Sequence, residues 1–248
     1  MTVLAAKEFT PVFQMRVDEC NNMKIELDAV ITATLVLCAL VTTGLMVRRE
    51  FFAPAAPPAQ TEQKPLFSKD WRSQLAKGIQ SGPTQAPVQL LEFADFECPF
   101  CANFHKEVKA LRERYPTQVA LTFVHFPLPM HRFAEPAARV AECAGDQRRF
   151  EAMYDLLFEQ QDKFGLKLWS EFATDAGVAD SAAFEACVKR TDPIPRVTEG
   201  KALGNQLDVQ GTPTVVINGW KLGRPPTLDE MDHMIKAILA GKSPIGST

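Results

Sequence analysis

The chain has 248 residues, a length that accommodates one domain of about 150–200 residues together with additional segments. Hydrophobic residues make up 46% of it and charged residues 23%, which excludes a chain that is disordered or fibrous throughout. The formal net charge of −3 provides no basic surplus for binding phosphate backbones, so nucleic acid is not expected as a partner.

An uncharged apolar run, Ala29–Val47, follows an amino-terminal segment of 28 residues. A helix of this length would be about 28 Å long, close to the thickness of the hydrocarbon core of a bilayer. The run therefore predicts a transmembrane anchor, because a buried core helix rarely extends so far without a polar face. A cleaved signal peptide is the other alternative, but Arg48 and Arg49 follow the run where small residues would be expected. Cys38, inside the run, is interpreted as a small apolar residue.

The segments on either side of the run lack the pattern of a packed domain. Met23 and Lys24 would make a more usual start for an anchored protein, in which case residues 1–22 are an artefact of the chosen start site. Residues 48–65 contain four prolines among alanines and polar side chains and predict an extended linker. The folded domain is expected over residues 66–242.

Hydrophobic periodicity and turn residues delimit the elements of this domain. A short helix is expected after Ser68, with Trp71, Leu75 and Ile79 on one face. The other predicted elements are a strand at Val88–Phe93, a helix from Pro99 to about Arg114, a strand at Val119–Phe126, a helix-rich region at about 131–192, a helix at Val197–Leu207, a strand at Thr214–Ile217, a hairpin return at Trp220–Leu222 and a helix from Thr227. This order, with helices in the middle and a closing hairpin, indicates an α/β fold rather than a sandwich.

Only one pair of the six cysteines is close in sequence, Cys98 and Cys101 in the motif CPFC. Pro99 suits the first turn of a helix, because its missing N–H would have had no partner there. Cys98 would then lie at a helix amino terminus, where unpaired N–H groups and the helix dipole favour a thiolate. Cys101, one turn later, would be close enough to attack a mixed disulfide on Cys98. The motif predicts thiol–disulfide exchange, with Cys98 as the nucleophile and Cys101 as the resolving thiol.

A zinc site is the alternative use of two cysteines at this spacing. Such a site requires a second pair of ligands about 15–20 residues away, and the sequence has none. His105 lies one turn beyond Cys101, but a fourth ligand would still be missing. We therefore expect no metal at this motif.

Four segments of the domain resemble the DsbA-like branch of the thioredoxin superfamily. They are, in chain order, LLEFADFECPFCANF, VHFPLPMH, AARVAECAGDQ and GTPTVVING. The resemblance extends over about residues 66–239 and implies a thioredoxin-like α/β fold with an inserted helical domain. It also implies that Thr212 and Pro213 form a cis-proline loop facing the CPFC motif, and that Glu92 is a buried acid beneath that motif with a role in proton transfer. From its strand alone, Glu92 would be interpreted as an edge carboxylate.

The resemblance also suggests a pairing for two cysteines of the inserted region. Some members of the family carry cysteines at places similar to those of Cys143 and Cys187, and both residues fall on predicted helices. We therefore expect a structural disulfide between them. Two buried, unpaired thiols are the alternative, because cysteine packs well as a small apolar residue.

The motif departs from the family at one position. Pro99 and Phe100 stand between the cysteines, where strongly oxidising DsbA proteins have proline and histidine. Phe100 cannot donate a hydrogen bond to the Cys98 thiolate, so part of the stabilisation of that thiolate is expected to be absent. This argues against strong oxidising power, although not against exchange chemistry.

The side chains near the motif carry simpler expectations. These are structural roles for His125 and His131, rim positions in an apolar groove for unfolded substrates for Phe96 and Phe100, and hairpin packing for Trp220. Asp95 and Glu97 would place negative charge near Cys98 and would slightly oppose the thiolate, unless solvent screens them.

The function predicted from these residues is that of an envelope thiol–disulfide oxidoreductase of DsbA type. We expect the oxidising direction, in which a substrate thiolate attacks Cys98 in the Cys98–Cys101 disulfide and a second substrate thiol then displaces Cys98. The expected partners are cysteine-containing proteins and a membrane protein that recycles the pair, and no metal or organic cofactor is required. The alternatives are a reductase or isomerase of the same fold, which Phe100 favours, and a redox-inert binding module, which would have no need of two cysteines.

The domain is expected outside the cytoplasm, on the periplasmic side, where disulfide exchange has its use. The charges that flank the predicted anchor slightly favour the opposite orientation. Arg48 and Arg49 follow the anchor directly, whereas Arg16 and Lys24 precede it among several acids. We give the chemistry more weight than this small difference in charge.

Overall fold

The structure is a computed structural model, and it describes residues 31–44, 46 and 64–246. The chain divides into two units, Met1–Ala59 and Gln60–Thr248. The other parts of the predicted amino-terminal segment, anchor and linker lie outside the described residues.

In the first unit, residues 31–44 and 46 are helical and exposed. These residues belong to the predicted anchor. No helix in the described part of the chain is long and apolar enough to cross a membrane. The anchor therefore stays a prediction.

The second unit alternates strands and helices. Over residues 64–246 the elements are β1 (Leu66–Phe67), α1 (Trp71–Gln74), a 3₁₀ helix (Leu75–Lys77), β2 (Ile79–Ser81), β3 (Val88–Ala94), α2 (Pro99–Arg114), β4 (Val119–His125), α3 (Ala134–Gly145), α4 (Phe150–Glu159), a second 3₁₀ helix (Gln161–Lys163), α5 (Trp169–Asp175), α6 (Ser181–Val188), α7 (Pro195–Gln206), β5 (Thr214–Ile217), β6 (Trp220–Lys221) and α8 (Leu228–Leu239). The architecture is mixed α/β, as predicted.

The strands form one sheet in the order β1-β6-β5-β3-β4-β2. Strands β3 and β4 are parallel and are joined through α2, whereas the other neighbouring strands are antiparallel. All seven residues of β3 are buried, because β3 is central and helices cover both faces of the sheet. This explains why its sequence is an almost continuous apolar run.

Side chains of β3 alternate between two cores. Leu90 and Ala94 belong to the larger core, which contains residues of α2, of α8 and of the inserted helices. Leu91 and Phe93 belong to a smaller core on the other face, together with Leu203 of α7. The alternation therefore directs Glu92 towards the larger core, the face that carries α2.

The predicted helix over Pro99–Arg114 and strand over Val119–Phe126 agree with α2 and β4 to within one residue. The helix expected after Ser68 is shorter than predicted. It ends before Gly78, and Ile79, expected on the helix, begins β2 and pairs with Phe123 of β4. A Cβ atom at position 78 would lie 2.4 Å from the backbone oxygen of Phe123, so only glycine allows this approach of the chain to β4.

The inserted region consists of α3 to α6 and the loops between them. A disulfide joins Cys143 of α3 to Cys187 of α6, with their Cα atoms 5.8 Å apart. This is the pair of cysteines that the resemblance suggested. The bridge connects two helices through cysteines that are 44 positions apart in sequence.

Candidate active site

The CPFC motif lies in the turn between β3 and α2. Cys98 is the N-cap residue of α2, in an extended conformation, and Pro99 occupies the first helical turn. The backbone N–H of Cys98 donates to the carbonyl of Asp95 at 3.1 Å, and that of Ala102 donates to the carbonyl of Cys98 at 3.2 Å. The first bond closes the turn and the second begins the helix, so Cys98 lies where unpaired helix N–H groups converge.

Both cysteine side chains are largely shielded from solvent. Cys98 is 3% exposed and Cys101 is 0% exposed. Cys98 is covered in part by the loop of Thr212, whose carbonyl oxygen lies 3.3 Å from its Sγ. Exposure alone does not distinguish the two thiols, and their electrostatic surroundings do.

The surroundings of Cys98 lower the pKa of its thiol from 9.0 to about 6. The largest cause is a hydrogen bond from the Cys101 thiol. Burial opposes the shift, whereas the Thr212 side chain and the backbone N–H groups of Cys101 and Phe100 add to it. Cys98 is therefore the thiol that ionises near neutral pH, as expected for a nucleophile at a helix amino terminus.

The surroundings of Cys101 have the opposite effect. Burial raises the pKa of its thiol well above 9.0, and its hydrogen bond to Cys98, the charge of Cys98 and the charge of Glu92 raise it further. Cys101 therefore keeps its proton while Cys98 is ionised. A resolving reaction by Cys101 requires a group that takes this proton.

Glu92 is fully buried on β3, and neither of its carboxylate oxygens has a hydrogen-bond partner among the described residues. Burial, followed by the charge of Cys98, raises the pKa of the Glu92 carboxyl from 4.5 to about 8. Its neighbours in the sheet are Phe123 of β4 and Val215 of β5. The edge position inferred from its strand alone is therefore wrong, because strands flank β3 on both sides.

The peptide bond between Thr212 and Pro213 is cis. The carbonyl oxygen of Thr212 lies 3.3 Å from Sγ of Cys98, although the two residues are 114 positions apart. The loop that begins β5 and the turn that ends β3 thus meet, because these strands are neighbours in the sheet. This is the arrangement that the resemblance implied.

The two phenylalanines expected at the rim of a groove differ in their positions. Phe100 is 54% exposed beside Cys98, consistent with a rim position. Phe96 is 1% exposed and packs against Phe158 at 4.9 Å and Phe123 at 5.0 Å between ring centroids, so its rim assignment is wrong. The turn after β3 directs its ring into the larger core.

The acidic residues beside the motif bind backbone groups of the following loop. Asp95, which is buried, accepts hydrogen bonds from the backbone N–H of Leu128 at 2.8 Å and lies 2.7 Å from Nδ1 of His131. Glu97 accepts one from the backbone N–H of Phe133. These carboxylates therefore attach the active-site turn to the segment that follows β4.

The other side chains considered in the sequence have structural contacts. Nε2 of His125 lies within hydrogen-bond distance of Glu142, at 2.9 Å. Trp220 packs against Phe67 at 5.1 Å, and His105 against Phe158 at 5.2 Å, both measured between ring centroids. Burial lowers the pKa of His105 to about 4. Among the described residues, no group of three or more His, Cys, Asp or Glu side chains is placed to hold a metal ion.

Gln161 is a residue of the site that sequence reasoning did not find. Its Nε2 donates to the carbonyl of Phe96 at 2.6 Å and to the carbonyl of Cys98 at 3.0 Å. It lies 63 residues beyond Cys98, in no recognisable pattern. Only the packing of the inserted region against the turn brings it to the site.

A protein-family model described as thioredoxin matches residues 74–237. This match covers more than half of the chain and includes the CPFC motif, the inserted region and the cis-proline loop. The chain belongs to this thioredoxin family.

Curated relatives match the same domain over part of their length. The chain is 31% identical over 160 residues to the Na(+)/H(+) antiporter NhaA 3 of Salinispora tropica, covering 64% of this chain and 24% of the relative. It is 32% identical over 164 residues to the Na(+)/H(+) antiporter NhaA 1 of Mycolicibacterium gilvum, covering 65% and 26%. The chain thus spans about a quarter of the length of these relatives.

Solved structures share the thioredoxin-like fold of this family member. BdbD from Bacillus subtilis has a TM-score of 0.60 at 19% identity, covering 73% of this chain and 98% of that one. Wolbachia pipientis α-DsbA1 has a TM-score of 0.56 at 21% identity, covering 65% and 90%. Proteus mirabilis ScsC has a TM-score of 0.57 at 20% identity, covering 88% and 95%. At these identities the likeness establishes the fold.

Proposed function

We propose that this protein is a DsbA-like thiol–disulfide oxidoreductase that exchanges disulfides with cysteine-containing proteins through Cys98 and Cys101. The observation that carries the proposal is the contrast between the two thiols. The pKa of Cys98 is lowered to about 6 at the start of α2, whereas that of Cys101 is raised one turn later. A thiolate beside a protonated partner is the arrangement that attack and resolution require.

In the oxidising direction the pair starts as a disulfide. A substrate thiolate attacks Sγ of Cys98, a substrate–Cys98 bond forms, the Cys98–Cys101 bond breaks, and Cys101 leaves as a thiolate that takes up a proton. A second substrate thiolate attacks the substrate sulfur of the mixed disulfide and releases Cys98 as a thiolate. The substrate is oxidised to a disulfide, and the pair is reduced to one thiolate and one thiol.

Glu92 is the group proposed to exchange this proton with Cys101. Its carboxyl is buried, has no hydrogen-bond partner in the part of the chain that the structure describes, and interacts electrostatically with Cys101. A pKa of about 8 allows the carboxyl to give up or accept a proton near neutral pH. In the reducing direction, Glu92 would remove the proton from Cys101 before it attacks the mixed disulfide.

The backbone around Pro213 is proposed to bind the substrate. Its loop faces Cys98, and an extended polypeptide pairing with that backbone would be held without a requirement for particular side chains. Phe100, exposed beside Cys98, offers an apolar contact to an unfolded chain. Such binding suits an enzyme with many protein substrates.

We propose the oxidising direction, with an oxidising power between those of thioredoxin and DsbA. A Cys98 pKa of about 6 falls between the values of about 7 for thioredoxin and about 3.5 for DsbA. The corresponding reduction potential should lie between about −270 mV and about −120 mV. Phe100 has no side-chain donor for the Cys98 thiolate, and this is the reason for placing the potential short of the most oxidising value.

The test is the measurement of both directions on the full chain. Oxidised protein should restore activity to a reduced, unfolded ribonuclease, and this activity should exceed its catalysis of insulin reduction. Cys98→Ser should abolish both activities, whereas Cys38→Ser, which removes a free cysteine outside the motif, should leave them unchanged. Faster insulin reduction would favour the reductase, and binding of unfolded ribonuclease without exchange would favour the redox-inert module.

The proposed setting is the outer side of a bacterial membrane, with residues 29–47 as anchor. A tethered oxidoreductase needs a membrane partner that accepts or supplies the two electrons of each cycle, since Cys98 and Cys101 together can store only one pair of electrons. Proteins of the oxidising compartment would be its substrates. The antiporter activity named for the curated relatives is not part of this proposal.

A further inference from the structure

The active-site turn, residues 95–98, is attached to the segments beyond β4 at each of its positions. Asp95 and Glu97 accept hydrogen bonds from backbone N–H groups of residues 128 and 133, and the ring of Phe96 packs against α4. The carbonyl oxygen of Cys98 accepts a hydrogen bond from Gln161, and its Sγ lies 3.3 Å from the carbonyl of Thr212. The attachments from the inserted region are therefore placed to control how this turn presents Cys98.

The attachment at Cys98 is made by Gln161. This residue begins the 3₁₀ helix Gln161–Lys163, which follows α4. Its side-chain amide has two N–H donors, and they reach the carbonyls of Phe96 and Cys98 at 2.6 and 3.0 Å. One side chain of the inserted region thus binds two peptide groups of the active-site turn.

The Cys98 peptide group belongs to the same turn as the backbone N–H groups that stabilise the Cys98 thiolate. The carbonyl of Cys98 also accepts the first hydrogen bond of α2, from Ala102. The N–H groups of Phe100 and Cys101, which stabilise the thiolate, belong to the same helical turn. Hydrogen bonds weaken steeply when donor and acceptor are misaligned, so the orientation of this turn decides how well those groups act.

We propose that Gln161 is a positioning residue through which the inserted helical region sets the redox potential of the Cys98–Cys101 pair. The inference rests on the proposed function, because it has a meaning only if Cys98 is the exchanging thiol. Gln161 contacts the backbone of Cys98 and does not act on the reacting sulfur atoms. Loss of its two donors would let the turn relax and would weaken the stabilisation of the thiolate.

The sign of the effect follows from the state that contains the thiolate. The thiolate exists only in the reduced protein, so weakening it destabilises the reduced form relative to the disulfide. The disulfide then becomes harder to reduce, and the potential becomes more negative. A three- to tenfold change in the equilibrium with glutathione corresponds to about 15–30 mV.

The experiment compares Gln161→Met with Gln147→Met in the full chain. Methionine is similar in length to glutamine but has no N–H donors. Gln147 is a matched control, because its side chain also makes two hydrogen bonds to backbone, both with Asp180 within the inserted region. The measurements are the pH dependence of iodoacetamide modification of Cys98, read by peptide mass spectrometry, and the equilibrium with glutathione.

For Gln161→Met we expect the midpoint of Cys98 modification to rise by about half to one pH unit, and the glutathione equilibrium to shift three- to tenfold towards the disulfide. Gln147→Met should change neither. Gln161→Glu, which keeps the shape of the side chain but places a carboxylate against two carbonyl oxygens, should give a shift of the same sign and at least the same size.

Unchanged values in both Gln161 variants, in protein that still catalyses exchange, would overturn the inference and leave the proposed function intact. Equal shifts in Gln161→Met and Gln147→Met would also overturn it, because they would indicate a general loosening of the inserted region. An unmodified chain with no exchange activity would instead refute the proposed function.

Discussion

Cys98 and Cys101 are separated by one helical turn, yet their thiols differ in acidity. Cys98 accepts hydrogen bonds from the Cys101 thiol and from helix N–H groups, which lowers its pKa to about 6. Cys101 is buried beside the charges of Cys98 and Glu92, which raises its pKa. At the scale of single residues, these neighbours, rather than the cysteines themselves, determine which of the two thiols is the more acidic.

This difference predicts which variant accumulates a covalent complex. Cys101→Ser should retain mixed disulfides between Cys98 and substrate proteins, because the resolving thiol is absent. Cys98→Ser should retain none, because the remaining thiol stays protonated at neutral pH. Non-reducing electrophoresis after expression of each variant measures the complexes. Their accumulation in Cys98→Ser alone would reverse the assignment.

Glu92 provides a prediction about stability and pH. The pKa of its carboxyl is 4.5 in the unfolded chain and about 8 in the fold, so between these values the folded protein holds a proton that the unfolded chain has lost. The free energy of unfolding therefore falls as the pH rises from about 4.5 to about 8, by on the order of 5 kcal/mol in total. Glu92→Gln, which cannot ionise, should remove this dependence.

Urea unfolding of the reduced proteins at pH 5 and pH 8 measures the effect. The free energy of unfolding of Glu92→Gln minus that of the unmodified protein should increase from pH 5 to pH 8. Gln89→Glu is not a suitable control, because it would introduce a new buried carboxyl. Asp229→Asn, on the exposed start of α8, removes a carboxylate without burial and should show no such increase. A constant difference for Glu92→Gln would contradict the raised pKa.

At the scale of elements, the site is formed where three parts of the chain meet. The carboxyl end of β3 delivers the CPFC turn, the start of α2 supplies N–H groups, and the loop before β5 brings Thr212 to within 3.3 Å of Cys98. The inserted helices add Gln161 from a fourth direction. Elements that are distant in sequence thus contribute one or two side chains or backbone groups each.

The bridge between α3 and α6 gives a prediction at this scale. If Cys143 and Cys187 are joined in the isolated protein, the closed loop of 44 positions should contribute about 4 kcal/mol to stability in the chain-entropy description. Peptide mapping without reduction should recover the two segments linked. Replacing both cysteines by alanine should lower the free energy of unfolding by up to that amount.

The same double variant should retain a Cys98–Cys101 pair that still exchanges disulfides, because the bridge lies in the inserted region rather than at the pair. Quantitative alkylation of Cys143 and Cys187 in freshly isolated protein would rule the bridge out. In that case the alternative of two unpaired, buried thiols would hold.

At the scale of the whole molecule, the predicted anchor leads to a prediction about the side of a membrane on which the domain lies. We predict the extracytoplasmic side, because exchange of protein disulfides has its use in an oxidising compartment. Protease added to intact spheroplasts should digest the domain, and an antibody against it measures the loss. A cytoplasmic marker protein should survive in the same sample. Complete protection of the domain would refute the prediction.

The helices and strands that depend on local chemistry could be predicted from the sequence. The proline after Cys98 and the helical spacing after it predicted α2, and the apolar runs on either side predicted β3 and β4. The sequence also predicted that Cys98 is the more acidic thiol of the CPFC pair, because a helix amino terminus stabilises the thiolate nearest to it. These features depend on neighbours within a few residues.

Features that depend on which strands and helices become neighbours could be seen only in the folded chain. Phe96 lies in the core rather than at the rim, and Ile79 begins a strand. Glu92 lies in the centre of the sheet rather than at its edge, because β5 and β4 flank β3. Gln161 reaches the active-site turn because the inserted helices pack against it. Burial and long-range hydrogen bonds arise from the closing of the chain on itself, and no local pattern in the sequence encodes them.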